Sequence, residues 1–371
     1  MGAVKDFGAN VTSRDDTVTS APEAVASTEP AAGTHRARPT MRDVAARAGV
    51  SLKTVSRVVN HEAGVSLELV TRVDAAATEL DYRPDLTASN LRRTDRRTST
   101  IGLMIEDVAN EYSSAVHAGV EDVARLHQVA VLGASVHEDP HREADLVRAL
   151  SSRRVDGLIL IPTPGDLSYL ERERENGLPI VLVDRIAHGF DADCVLTDNR
   201  AGTETAMEHL VALGHERIAF MGGLSGLATA EERFTGYVST MNRHGLTINP
   251  DWVVRDVKGA DDAEKSATEM FAHALEPTAI FAAQNVITMG AVRALRAAGL
   301  HHDVALIGFD DFALADLLDP PVAVVAQDPR RIGQLAAELL FDRIRGERTT
   351  PEVHTVPSRL IIRRSGEILP G

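Results

Sequence analysis

The chain has 371 residues, with 54 Asp and Glu against 39 Lys and Arg for a net charge of -15 at pH 7, and a single cysteine, Cys194. That length accommodates two or three domains with large cores, while one cysteine excludes an intrachain disulfide and any cysteine-based zinc site, which suits a reducing cytoplasm. No stretch is long and apolar enough to span a bilayer, and the start lacks the apolar core of a secretory signal, so neither a membrane protein nor an exported one is expected.

Residues 1–39 are rich in Ala, Ser, Thr, Pro and Gly with scattered charge and no apolar period. Too little can be buried there to offset the entropy of ordering, and a disordered tail is expected. A domain boundary follows. Val44, Ala45 and Ala48 fall at helical spacing, Gly49 suits a left-handed stop, and Ser51 suits the cap of a second helix. On that second helix Val55, Val58 and Val59 share one face, while Lys53, Ser56, Arg57 and Asn60 share the opposite one. One side packs and the other is left to meet a ligand. Two helices this close read as a helix-turn-helix, whose second helix presents a guanidinium, an ammonium and an amide to the major groove. Two surface helices of an ordinary bundle are the competing reading.

Ser66 is placed to cap a third helix, whose Val70, Val73, Ala77 and Leu80 form a seam able to close a small core, and Tyr82 and Pro84 end it. Residues 85–90 suit one or two helical turns. Leu91 is then followed by Arg92, Arg93, Arg96 and Arg97, a leucine beside clustered arginines that fits insertion into a minor groove; a solvated basic linker is the alternative. Between Arg36 and Arg97, 12 Lys and Arg face 8 Asp and Glu, a balance of 12 - 8 = +4, so the acid of the chain lies elsewhere.

From Ile101 onward short apolar runs alternate with helical stretches. IGLMI, VAVLGAS, GLILIP, PIVLVD, IAFMGG, AIFAAQ and ALIGFD lack polar alternation for the most part, which predicts strands buried on both faces. Repeated strand-helix units imply parallel sheets with right-handed crossovers, and a change of unit near Asp198 predicts two similar lobes. Ligands bind such folds where strand ends and helix starts converge, between the lobes.

The run TMRDVAARAGVSLKTVSRVVN, then Val65-Ser66, then Leu80-Asp81-Tyr82-Arg83-Pro84, resembles the head of the LacI/GalR family of bacterial transcription regulators. The likeness continues through Ile101-Gly102, Gly214-His215, Gly308-Phe309-Asp310-Asp311 and Gln327-Asp328-Pro329, nearly the whole chain after residue 39. It implies an all-α helix-turn-helix head (residues 40–84), a hinge helix and linker (85–98), and an α/β two-lobed body of parallel sheets like the periplasmic sugar-binding proteins (99–371) that binds effector and dimerises. In that scheme the run AVVAQD crosses back, residues 330–345 return to the first lobe, and a last strand near residues 360–362 completes the second.

The residues expected to meet DNA are Thr40, Ser51, Leu52, Lys53, Thr54, Ser56, Arg57, Asn60, Ser66, Tyr82, Ala88, Leu91 and Arg92. Those expected to meet an effector are Tyr112, Asp184, Arg185, Arg233, Gln284 and Asp310, the arginine by fork-like donation and the last aspartate by accepting from hydroxyls or ring N-H. Asp184 and Arg185 also suit a structural ion pair, and Tyr112 suits plain packing. The chain departs from the family's pattern at Asn110-Glu111 (usually Asn-Pro), at Ser113 (often a second aromatic), at Gln284-Asn285 (usually Asn-Asp) and at Leu69-Val70 (often Thr-Arg). These departures leave fewer flat apolar faces, favouring a polyhydroxylated effector such as a sugar over a stacked purine, with a nucleoside or other polar metabolite as the alternative.

No metal or cofactor is expected. A dinucleotide enzyme would need a glycine-rich loop after the first strand, where Glu106-Asp107-Val108 would repel a pyrophosphate. A solute-binding protein without regulatory role would lack the head. The function predicted is a cytoplasmic, homodimeric, effector-controlled repressor of a near-palindromic operator.

Overall fold

The computed structural model describes residues 39–59, 62, 64–83, 97–187, 189–272 and 276–371. The chain divides into two compact units, Met1–Asp85 and Leu86–Gly371.

The first unit contains α1 (Met41–Ala48), α2 (Leu52–Val59) and α3 (Leu67–Glu79). Asp43 starts α1 by accepting from the backbone N-H and the hydroxyl of Thr40, each at 2.7 Å. Gly49 ends the helix at φ +60°, as expected of its position. Ser51 accepts from the Thr54 N-H at 3.1 Å, so the cap predicted for α2 forms. Ser66 stands at the start of α3, but its side chain makes no capping bond. The first turn there is exposed, so water satisfies donors that the hydroxyl was expected to hold. Val44, Val55 and Val73 are fully buried between the three helices, with Ala45, Ala48, Val58 and Ala76 around them and Val59, Val70, Ala77, Leu80 and Tyr82 at the margin.

The second unit holds two six-stranded sheets. The first contains β1 (Thr100–Ile105), β2 (Ala130–Ser135), β3 (Leu158–Leu160), β4 (Ile180–Val183), β5 (Asp193–Thr197) and β11 (Val353–Val356), in the order β11-β5-β4-β3-β1-β2 and parallel throughout. The second contains β6 (Ile218–Met221), β7 (Val253–Val254), β8 (Ala279–Ala282), β9 (Ala305–Phe309), β10 (Ala323–Ala326) and β12 (Arg359–Ile361), in the order β12-β10-β9-β8-β6-β7, with β12 alone antiparallel. The two orders correspond strand for strand, which is the repeat that the sequence pattern predicts.

The flanking helices are α4 (Glu111–Leu126), α5 (Pro140–Ser152), α6 (Ser168–Glu175), α7 (Asn199–Ala212), α8 (Ala228–Arg243), α9 (Ala260–Met270), α10 (Asn285–Ala298) and α11 (Pro329–Arg345). The chain changes lobe after β5, after β10 and between β11 and β12. The turnover near Asp198 and the return of residues 330–345 to the first lobe are therefore as expected. α11 packs on α4 at a point where both helices carry glycine, Gly119 and Gly333.

Two expectations about strands need correction. β2, the VAVLGAS run, is an edge strand with no fully buried residue, and Leu132 is 39% exposed. An apolar run says that a strand lacks polar alternation; it does not say that both faces are covered. The apolar runs do not include β5, the two-residue β7 or β11. β5 opens on Asp193, which lies fully buried because Arg343 and the N-H of Glu352 satisfy its carboxylate, a compensation invisible to hydrophobic patterning.

Candidate functional site

The C-terminal ends of the strands in both lobes open onto one cavity of about 560 Å³. Its first-lobe wall is built from Glu106 after β1, Asp184 and Arg185 after β4, Glu138, and Tyr112 on the first turn of α4. Asp184 sits at φ +70° with its N-H donating to Val195 O at 2.9 Å, a backbone pose that turns the carboxylate away from the sheet. That carboxylate accepts from the Tyr112 hydroxyl at 3.1 Å and lies 3.2 Å from the Arg185 Nε. The remaining arms of Arg185 grip Glu138 at 2.9 and 2.7 Å, so its guanidinium is held within the protein. Glu106 receives no side-chain hydrogen bond among the described residues; burial, and then the neighbouring Glu138 carboxylate, push its pKa up to about 7. Burial and Asp184 likewise push the Tyr112 hydroxyl well above its ordinary value.

The second-lobe wall is different in kind. Arg233 is buried; its Nε donates to Asn199 Oδ1 at 2.8 Å, its Nη1 donates to Ala283 O at 2.7 Å, and its plane lies 3.8 Å over the Phe309 ring. Nη1 also stands 3.6 Å from an oxygen of Asp310. Asp310 in turn accepts from the Gln327 amide, whose oxygen accepts from the Thr197 hydroxyl. Burial raises the Asp310 carboxyl pKa, with Arg233 pulling the other way. Gln284 occupies the N-cap position of α10, with no capping bond from its side chain, and lines the same cavity. All six residues predicted to meet an effector therefore converge on one cavity. Asp184 and Arg185 are an ion pair as well as wall residues, so the two readings of that pair coexist.

The wall combines carboxylate acceptors with arginines that are oriented by other groups. It suits a ligand rich in hydroxyl or N-H donors. No group of three or more potential metal ligands occurs among the described residues. His215 is buried between the Thr278 hydroxyl (2.9 Å) and Ile368 O (2.8 Å), a packing role.

In the first unit, Lys53 is exposed and Ser56 and Arg57 half-buried on the side of α2 away from Val55 and Val58, while Leu52, at the helix's first position, is exposed nearer the Val55 side. Ser51 and Thr54 bond to each other at 2.9 Å, and Arg57 lies 3.4 Å from Glu62. Thr40 and Ser66 head their helices, and Tyr82 packs against the small core. Asn60, Ala88, Leu91 and Arg92 lie outside the described residues.

The family model "Bacterial regulatory proteins, lacI family" matches residues 40–85, and "Periplasmic binding protein-like domain" matches residues 207–366. The chain is 30% identical to the HTH-type transcriptional repressor PurR of Photobacterium profundum, over 88% of this chain and 98% of that one. The chain belongs to the lacI family of bacterial regulatory proteins. Among solved structures, the lac repressor dimer bound to operator and the anti-inducer ONPF matches with TM-score 0.79 and 27% identity, covering 88% of this chain and 99% of that one. A complex of the transcriptional regulator CelR with cellobiose matches with TM-score 0.67 and 30% identity, covering 88% and 100%.

As a lacI-family member the chain is a DNA-binding transcriptional regulator and not an enzyme. No helix among its described residues is long and apolar enough to cross a membrane. Its cavity also contains residues that sequence reasoning did not assign to the site. Glu138 is 47 residues from its partner Arg185, a separation with no local signature. Glu106 stood out only as an obstacle to pyrophosphate. Gln327 belongs to the Gln327-Asp328-Pro329 motif, but only the fold brings its amide to Asp310.

Proposed function

We propose that this lacI-family chain is a homodimeric repressor that reads a near-palindromic operator and releases or grips it according to a hydroxylated small molecule, a sugar first of all, bound between its lobes. The observation that carries the reading is the cavity that gathers Tyr112, Asp184, Arg185, Arg233, Gln284 and Asp310 from both lobes. Carboxylates and an oriented arginine lining a cleft match hydroxyl groups better than a flat base. The likeness to a regulator solved with cellobiose supports a sugar, and the likeness to a repressor solved as a dimer on operator supports the assembly.

Lys53, Ser56 and Arg57 read bases and phosphates in the major groove, with Leu52 and Lys53 setting base preference. Leu91 and the arginines after it enter the minor groove between the two heads. One head covers too few base pairs to hold at cellular salt, so two are required. Effector shifts the lobes between two arrangements with different operator affinity, and the coupling is reciprocal: operator changes effector affinity by the same factor.

The test is a thermal-shift screen of sugars and nucleosides, then operator binding with and without each hit. A sugar that raises the melting temperature and changes operator affinity supports the reading. A nucleoside doing so in its place moves the effector to the alternative class, and failure to bind any fragment from its own promoter region sinks the regulator reading as a whole.

A further inference from the structure

One hydrogen bond joins the lobes where no crossing strand does. The carboxylate of Glu111, at the first position of α4 in the first lobe, accepts from the backbone N-H of Ala313 at 2.8 Å; Ala313 follows β9 in the second lobe, 202 residues along the chain. Among the described residues, the other hydrogen bonds between lobes involve the crossover segments themselves, as between Thr197 and Gln327 or from the Ser358 N-H to Asp198. Both ends of the Glu111 contact are anchored. Asn110 caps α4 by accepting from the Tyr112 N-H at 2.9 Å, and Arg363 clamps Asp311 with two bonds of 2.8 Å, fixing the loop from which the Ala313 N-H projects. Glu111 and Phe312 both line the cavity, so the bond lies at its rim.

We infer that Glu111 is an inter-lobe tether: its bond to Ala313 limits how far the lobes part and keeps the cavity formed without ligand. Glu111 stands where the family's usual residue is proline, which has no side chain able to accept such a bond. Lobes joined only by crossing strands are free to rock about them; a bond made away from those strands opposes that motion by its own free energy. An exposed, charge-assisted bond of this kind shifts the balance between closed and open forms by roughly three- to tenfold. Preorganising a cavity of ligand size raises affinity for whatever fills it, because less motion remains to be lost on binding. The tether stands whether or not the effector is a sugar.

The test needs no effector. Cys194 is buried with its thiol pKa pushed up, so introduced cysteines are labelled selectively. Spin labels go on Asp145→Cys in the first lobe and Asp261→Cys in the second, whose side chains are 72% and 97% exposed. Labelled chains are diluted among unlabelled ones so that distances report within one chain. Glu111→Ala is expected to raise the share of the longer inter-lobe distance roughly three- to tenfold. Glu111→Gln, which keeps a carbonyl acceptor but loses the charge, is expected to restore most of the original distribution. Distributions that coincide for Glu111→Ala and the unmodified chain overturn the tether, and so does a Gln variant that opens as fully as the Ala variant.

Discussion

Asp184 and Asp310 occupy the same place in the two lobes. Each follows the fourth strand of its repeat, each sits at φ +70°, and each N-H donates at 2.9 Å to the adjacent strand, at Val195 O and Val325 O respectively. The shared backbone pose aims both carboxylates into the cavity, but their partners differ: Tyr112 and Arg185 for one, Arg233 and Gln327 for the other. A duplicated scaffold thus carries two unlike walls.

Arg233 is the residue whose loss is expected to separate effector response from DNA binding. Arg233→Ala leaves the buried Asp310 without its cation and removes the ring contact with Phe309, at a cost of about 3 kcal/mol in stability. None of those contacts reaches the first unit's helices, so operator affinity is expected to persist while the response to effector disappears. Operator titrations with and without the effector check this; a surviving response means that the pocket has been misplaced.

The parts of this design that sequence carries are those with a period or a motif. The three-helix head follows from Val55 and Val58 facing away from Lys53 and from Gly49 at a left-handed stop. The two lobes follow from repeated apolar runs, and Asp310 and Arg233 were legible through family resemblance at strand and helix positions. What pattern could not carry was pairing at a distance: Glu138 with Arg185, Glu111 with Ala313, and Asp193 with Arg343. In each pair a side chain's role is set by a partner that only the fold brings near. β2 shows the converse limit, since its apolar sequence suits burial, but among the described residues it ends its sheet with no fully buried residue.

Glu106 makes stability depend on pH in an uncommon direction. Its pKa rises from 4.5 to about 7 on folding, so between those values the native state binds more protons than the unfolded one. The stabilisation from protonation is complete below pH 4.5 and is lost as pH rises through 7. At pH 8 the charged, partly buried carboxylate therefore costs on the order of 3 kcal/mol. Glu106→Gln is expected to stabilise the protein at pH 8 and to make little difference at pH 4. Melting temperatures of both proteins at the two pH values test this, and an equal difference at each would falsify the assignment.

At Gly119 and Gly333, where α4 and α11 approach closely, helix propensity and packing oppose each other. Helix propensity alone says that alanine at either position stabilises by about 1 kcal/mol. Packing says the reverse, because a Cβ on Gly119 would stand 2.1 Å from Arg330 O and one on Gly333 would stand 2.1 Å from Val116 O. Those neighbours are backbone and cannot swing aside, so α4 and α11 must separate, at roughly 2 kcal/mol or more. Packing wins. Gly119→Ala and Gly333→Ala are each expected to lower the denaturation midpoint, and a raised midpoint for either contradicts the close approach.

The head and the hinge are expected to fail in different ways when altered. Lys53 is exposed on α2, and a lysine meeting phosphate contributes affinity that falls with salt and depends little on sequence. If Lys53 contacts phosphate, Lys53→Ala weakens operator and random DNA alike and reduces the salt slope by about 1; if it reads a base, the loss falls on operator and discrimination at one position relaxes. Leu91→Ser acts differently under either outcome. A wedge is buried only when both hinges meet the deformed operator, so losing its apolar surface costs roughly 2 kcal/mol, about thirtyfold, on operator and almost nothing on random sequence. Titrations of both variants on both DNAs across a salt series separate the roles. Equal losses for Leu91→Ser on the two DNAs would mean that the leucine lies in a solvated linker and that the arginines beside it act through charge alone.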